Sequence, residues 1–179
     1  MDNNDDEFLY QFSLSSNEEI ELSEEQDLAI NIYIESSSLI NKLLNSGKDD
    51  FLNSEYFDRY YYNYGNTKEK ALINLQNIIL DMDSIFEIGP RIENDVIVYR
   101  GYKNNNIIGN GYISTSLSID VAQFFANNNV LFTIHLHRGV PYIYLGKVGF
   151  GHDDEKEILL PRKGLDIRMR ENIIDIYPV

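Results

Sequence analysis

The periodicity of the apolar residues changes once, near Glu93, and that change confines the chain to few architectures. Before it, the pattern is helical. Ser23-Glu24-Glu25-Gln26 reads as a capping box, and Leu28, Ala29, Ile32 and Tyr33 follow at helical spacing. Ser36-Ser37-Ser38 is expected to interrupt this helix and to cap a second one through Leu39, Ile40, Leu43 and Leu44, closed by Gly47. Thr67 caps a longer helix whose apolar face is Ala71, Leu72, Leu75, Ile78, Ile79 and Met82. After Glu93 come short runs rich in β-branched and aromatic residues, at 96–99, 130–137, 142–145, 157–160, 165–170 and 173–177. Asn and Gly clusters at 104–106 and 109–111 punctuate them. One short helix intrudes, capped by Ser118 and expected to pack through Val121, Ala122, Phe124 and Phe125. Helices first and strands afterwards predict an α+β fold.

At 179 residues the chain suits one domain, and 43% hydrophobic residues mark it as globular rather than disordered. It holds no run of eighteen apolar residues, so no membrane span and no membrane partner are expected. The acidic, polar start is unlike a signal peptide, which argues against classical export and leaves other routes open. With no cysteine there is no disulfide, no thiolate metal site and no cysteine nucleophile.

The net charge is −14, unevenly spread: residues 1–27 hold ten acids, and beyond them 19 acids face 15 bases. Residues 1–17 therefore read as a mobile acidic tail and 18–179 as the single folded domain. Such acidity argues against a nucleic-acid partner and favours a basic patch on a protein partner, unless the tail only aids solubility.

Three stretches carry chemistry. Residues 96–99 lead into Arg100-Gly101; Gly111-Tyr112-Ile113 leads into Ser114-Thr115-Ser116; and Glu155-Lys156-Glu157 leads into Ile158-Leu159-Leu160-Pro161. Along a strand Glu155 and Glu157 share a face, while Ile158 and Leu160 turn into a core. A pair of acids over a cleft suits polar substitution, and two solvated carboxylates on a strand edge are the plainer alternative. Arg100 offers a permanent charge and a fork that fits phosphate, or else a structural ion pair. Gly101 leaves room for close approach to the backbone. His135 and His137 alternate outward with Thr133, while Phe132, Ile134 and Leu136 face inward. With only His152 besides, an exposed face explains the two better than a metallohydrolase site, and no metal is expected.

The order arginine, Ser-Thr-Ser, Glu-x-Glu, each on a strand, resembles the arginine–serine–glutamate branch of the mono-ADP-ribosyltransferase superfamily, the branch of many bacterial exoenzyme toxins. The resemblance runs from about Ser23 to Val179. It implies a helical subdomain followed by two packed, mainly antiparallel sheets with an NAD cleft between them. It implies NAD as substrate, held by Tyr99, Arg100, Gly101, Ser114, Thr115 and Ser116, and released as nicotinamide and ADP-ribose. Ser114 would order the nicotinamide ribose and the catalytic glutamate, and Glu157 would be that glutamate. Glu155 would select the acceptor, and glutamate there accompanies arginine modification. The expected activity is therefore transfer to an arginine of a target protein, by a monomeric toxin or effector in a host cytosol or by a viral or phage enzyme. An NAD glycohydrolase of the same fold and a catalytically silent acidic interaction module are the alternatives. The loop before the two acids would touch the target; His152 stands where the family usually has an aromatic, with Phe150 two residues earlier. Tyr60, Tyr61, Tyr62 and Tyr64 fit either a stacking segment over nicotinamide or helix packing.

Overall fold

The computed structural model describes residues 21–102, 109–127, 129–145 and 156–179. Helices come first, as the periodicity predicts. In α1 (Glu24–Ser46), Ser23 and Gln26 cap reciprocally: each backbone N–H donates to the other's side chain, at 3.0 and 3.3 Å. The helix kinks at Ser36 (φ −136°, ψ 24°), at the head of the serine run, and Gly47 closes it at φ 79°. Two short helices follow, α2 (Lys48–Leu52) and α3 (Glu55–Tyr60), pinned by the fully buried Phe51 and Phe57 with ring centroids 4.5 Å apart. In α4 (Lys68–Ile88), Thr67 accepts from the Lys70 N–H at 3.2 Å, and all six residues of the expected apolar face are buried, with Ile85 and Phe86 added.

The strands are β1 (Val96–Tyr102), β2 (Ile113–Ser116), β3 (Val130–Leu136), β4 (Ile143–Tyr144), β5 (Glu157–Leu160), β6 (Leu165–Arg170) and β7 (Ile173–Pro178). They form one mixed sheet in the order β4-β5-β2-β1-β3-β7-β6, in which β3 and β7 run parallel. Where two sheets were expected, one ladder has two arms, β4-β5-β2 and β1-β3-β7-β6, joined by the single Cα pair Tyr99↔Ser116. Ile158 and Leu160 from one arm share a buried cluster with Val98, Ile134, Leu136 and Ile176 from the other. Among the described residues no helix contributes to that cluster, so the two arms bury each other. The opposite face of the first arm presents Leu159, Ile143 and Tyr112 to the helical core. The order of layers is therefore helices, short arm, long arm.

Between β2 and β3 lies α5 (Ile119–Ala126), capped as expected by Ser118. Its packing differs from expectation. Ala122 and Ala126 are buried against β1, while Phe124 is 80% and Phe125 48% exposed. The reason is at Gly101. A Cβ there would lie 1.9 Å from the Ala122 carbonyl oxygen and 2.4 Å from the Ala126 nitrogen. Helix and strand backbones meet so closely that only the alanine side of α5 fits, and residues two and three positions further on turn away. The space that a side chain at position 101 would need is taken by this helix.

Candidate functional site

The three motifs converge because β1, β2 and β5 are neighbours in the sheet. Tyr99 pairs with Ser116, and Ser116 pairs with Glu157. One line of register thus crosses the residue beside Arg100, the end of the hydroxyl triplet and the expected catalytic acid. They open on a cavity of about 1230 Å³. Tyr99, Arg100, Gly101, Ser114, Thr115, Ser116 and Glu157 all line it. Helix α1 also lines it, through Tyr33, Ser37, Ser38, Asn41 and Asn45. Phe125 and Tyr102 close another side.

Each motif residue has a definable local role. Thr115 is 3% exposed and its hydroxyl donates to the Ile158 carbonyl at 2.8 Å, which ties β2 to β5 at the site. Ser116 accepts from the Ser118 N–H at 3.0 Å and so starts the turn into α5. Ser114 lies on the strand face opposite the buried Ile113 and Thr115, level with Leu159. Its carbonyl accepts a 2.5 Å bond from Arg100 Nη1. Glu157 opens β5 on the same face as Leu159 and is half-buried.

Arg100 is the informative side chain. Burial holds its pKa below the usual arginine range, and the nearby Tyr33, Tyr102 and Glu157 counter that effect. Its guanidinium sits 5.3 Å from the Tyr102 ring centroid. Its Nε is buried and has no hydrogen-bond partner among the described residues. A desolvated cationic donor of this kind is costly unless something meets it, and an anionic ligand would. The residues present fit a dinucleotide: one committed cation with an unmet donor, hydroxyls and aromatic faces along the lining, and a carboxylate. Among the described residues no group of three or more His, Asp or Glu is placed to hold a metal ion.

Several expectations fall elsewhere. Glu155, Phe150 and His152 lie outside the described residues. Lys156 stands at φ 47° and the strand begins at Glu157. Tyr61 and Tyr64 pack on the helical core, Tyr60 and Tyr62 are 40% and 66% exposed, and none of the four lines the cavity. His137 stacks on Tyr177 at 4.0 Å and meets Asp95 at 2.9 Å, and His135 meets Asp175 at 3.2 Å. The histidines form a surface network away from the cavity. The α1 wall was not foreseen. Its only sequence signal is a set of amides and hydroxyls, one to two turns apart, on the polar side of an otherwise apolar helix.

With the geometry in hand, comparison with known proteins is direct. Residues 102–173 match the family model of the ADP-ribosyltransferase exoenzyme, a span that holds the hydroxyl triplet and Glu157. No curated protein matches the chain. Among solved structures, the chain is similar to Plx2a, an ADP-ribosyltransferase toxin from Paenibacillus larvae, at 17% identity over 98% of this chain and 96% of that one, with a TM-score of 0.64. It is similar to C3stau2 from S. aureus, solved with NAD, at 18% identity over 96% of both chains and a TM-score of 0.60. It is also similar to the ADP-ribosyltransferase Vis, from Vibrio splendidus, in complex with agmatine, at 16% identity over 98% and 84% and a TM-score of 0.54. The fold is that of the ADP-ribosyltransferase toxins. The matched segment, residues 102–173, carries the pattern of the ADP-ribosyltransferase exoenzymes on the fold that those toxins share.

Proposed function

We propose that this chain transfers ADP-ribose from NAD to an arginine of a target protein and releases nicotinamide. The observation that carries this reading is the line of register from Tyr99 through Ser116 to Glu157, which brings Arg100, Ser114 and Glu157 to one cavity. Arg100, with its unmet Nε, would take the pyrophosphate of NAD. Glu157, in the lining of the same cavity, would hold the hydroxyls of the nicotinamide ribose. As the glycosidic bond breaks, the bonding electrons leave with nicotinamide and positive charge builds on the ribose. A fixed carboxylate in the cleft stabilises that charge, as it does in glycosidases. Ser114 would order this carboxylate and the ribose.

Arginine as acceptor rests on Glu155 beside Glu157. A carboxylate there would orient a guanidinium and accept its proton as the new bond to the ribose forms. Vis, of the same fold, is solved with agmatine, whose guanidinium is that of arginine. Transfer to water, by a glycohydrolase, would need Glu157 but not Glu155. The test measures free nicotinamide and protein-linked ADP-ribose together, with labelled NAD, a cell lysate and mapping of the modified residue. Glu155→Ala is expected to abolish arginine modification while sparing much of the slow hydrolysis of NAD. Parallel loss of both signals, or modification mapped to another residue type, would overturn the arginine assignment.

The working partner would be a protein with an accessible arginine, met by a monomer of this chain. The expected setting is a host cytosol. Phe150 and His152 would belong to the surface that meets the target, and residues 1–17 would be dispensable for turnover of NAD.

A further inference from the structure

Two asparagines on α1, one turn apart, hold the chain that leads into β2. Asn41 Oδ1 accepts from the Tyr112 backbone N–H at 3.0 Å, and Asn45 Oδ1 accepts from the Asn110 backbone N–H at 2.7 Å. Each amide is also fixed from its other end. Asn41 Nδ2 donates to the Tyr33 hydroxyl at 3.2 Å, and Asn45 Nδ2 donates to the Asn41 carbonyl at 2.7 Å. Two glycines make room for this. A Cβ on Gly109 would lie 1.9 Å from Asn45 Oδ1, and one on Gly111 would lie 2.5 Å from Asn41 Oδ1. The held residue, Tyr112, is pinned elsewhere as well. Its hydroxyl meets Asp83 at 2.9 Å and the Ile79 carbonyl at 3.1 Å, and its ring packs on Phe86 and edge-on to Tyr33. Ser114 comes two residues later, on a strand whose other neighbour carries Glu157.

We propose that Asn41 and Asn45 form a latch that sets the register of residues 110–112 against α1, and that they act as positioning residues for Ser114 and Glu157. Among the described residues, the helical layer also meets this stretch through the Tyr112 side chain and its packing. A side chain alone leaves the strand free to slide and roll about its own axis. Two backbone hydrogen bonds at alternate residues remove that freedom, as a neighbouring strand would. The catalytic pair then faces a wall at constant distance, and orientation is where a small displacement costs rate. The inference rests on the ADP-ribosyltransferase reading for its kinetic arm and stands apart from it for its structural arm.

The test is amide hydrogen exchange by NMR, with steady-state NAD kinetics, on the full chain. Asn41→Leu removes both bonds of the amide at similar volume. Gly111→Ala leaves the amide in place and pushes it aside, and it serves as the second variant should the first fail to fold. In either, the Tyr112 amide is expected to exchange at least tenfold faster while the Ile176 amide, in the long arm, is unchanged. The kcat for nicotinamide release is expected to fall about tenfold, with KM for NAD within twofold of the wild type. Asn41→Asp keeps an acceptor for the Tyr112 amide and is expected to restore most of kcat. Unchanged exchange at Tyr112 would overturn the latch. A raised KM with unchanged kcat would overturn the positioning role, because it would make Asn41 a contact of NAD itself. A wild-type chain that turns over no NAD would defeat the enzymatic reading and the positioning role with it, while faster exchange at Tyr112 in the variants would still support the latch.

Discussion

A buried guanidinium with one donor unmet is an expense that a purely structural arginine does not carry. Arg100 keeps it because the sheet over-determines its place: β1 pairs on both edges, and the Ser114 carbonyl anchors Nη1. Arg100→Lys keeps the charge and loses the fork. The account predicts that NAD affinity falls about tenfold, or ~1.4 kcal/mol, by calorimetric titration. Unchanged affinity would return Arg100 to a structural role. At this scale the three motifs were legible as local patterns on strands, with the hydroxyl triplet and the acid at strand ends and the arginine inside β1. Tyr33, Asn41 and Asn45 were not. Helical periodicity tells which side of α1 is apolar, but not which layer the polar side meets across the cavity. Phe124 and Phe125 misled for the opposite reason, since hydrophobicity suggested a buried face where the close approach at Gly101 admits only alanines.

Helix caps were read correctly at Ser23, Thr67 and Ser118 because capping is settled within four residues. The order of strands was not legible, since β5 enters beside β2 from more than forty residues away. Two links between elements hold that order, and each yields a prediction. The first is α5 on β1. Gly101→Ala forces the two backbones apart and is expected to cost about 1–3 kcal/mol by urea unfolding; wild-type stability would mean that the helix shifts without cost. The second ties α4 to the turn after β5. Asp83 accepts from Arg162 Nε at 2.9 Å and Nη2 at 2.5 Å, and from the Tyr112 hydroxyl. Burial pushes the Asp83 carboxyl up, but the Arg162 and Tyr112 hydrogen bonds and the charges of Arg162 and Lys163 outweigh it, so its pKa lies below the usual aspartate value. A depressed folded pKa stabilises fully above the unfolded value, about 3.9, and that contribution is lost as pH falls below it. Asp83→Asn is expected to cost about 2 kcal/mol at neutral pH and to flatten the acid limb of Tm against pH. An acid limb as steep as the wild type would remove Asp83 from that account.

The whole molecule is acidic, with a net charge of −14, yet the substrate it is read to take is an anion. Arg100 is the one cation among the described residues that line the cavity, and α1 offers neutral amides and hydroxyls. Ten of the acids lie in residues 1–27, seven before α1 in sequence and three in its first turn. A chain shortened to begin at Glu18 is therefore expected to keep its NAD hydrolysis, as measured by nicotinamide release, since residues 1–17 hold too few apolar side chains to pack a cleft. Collapse of hydrolysis with the fold intact would put that segment in the active domain. The α+β class followed from one change of periodicity, whereas the folding of a single ladder into two arms depends on the lone pair Tyr99↔Ser116, which no local pattern reveals. The central claim is that this joint brings a carboxylate to the point where charge develops on the ribose. The most direct measurement is the rate of nicotinamide release by the wild type and by Glu157→Gln, with circular dichroism to confirm an unchanged fold. The account predicts turnover in the wild type and a fall of roughly a hundredfold or more in the variant. A Glu157→Gln chain that releases nicotinamide at the wild-type rate would contradict it.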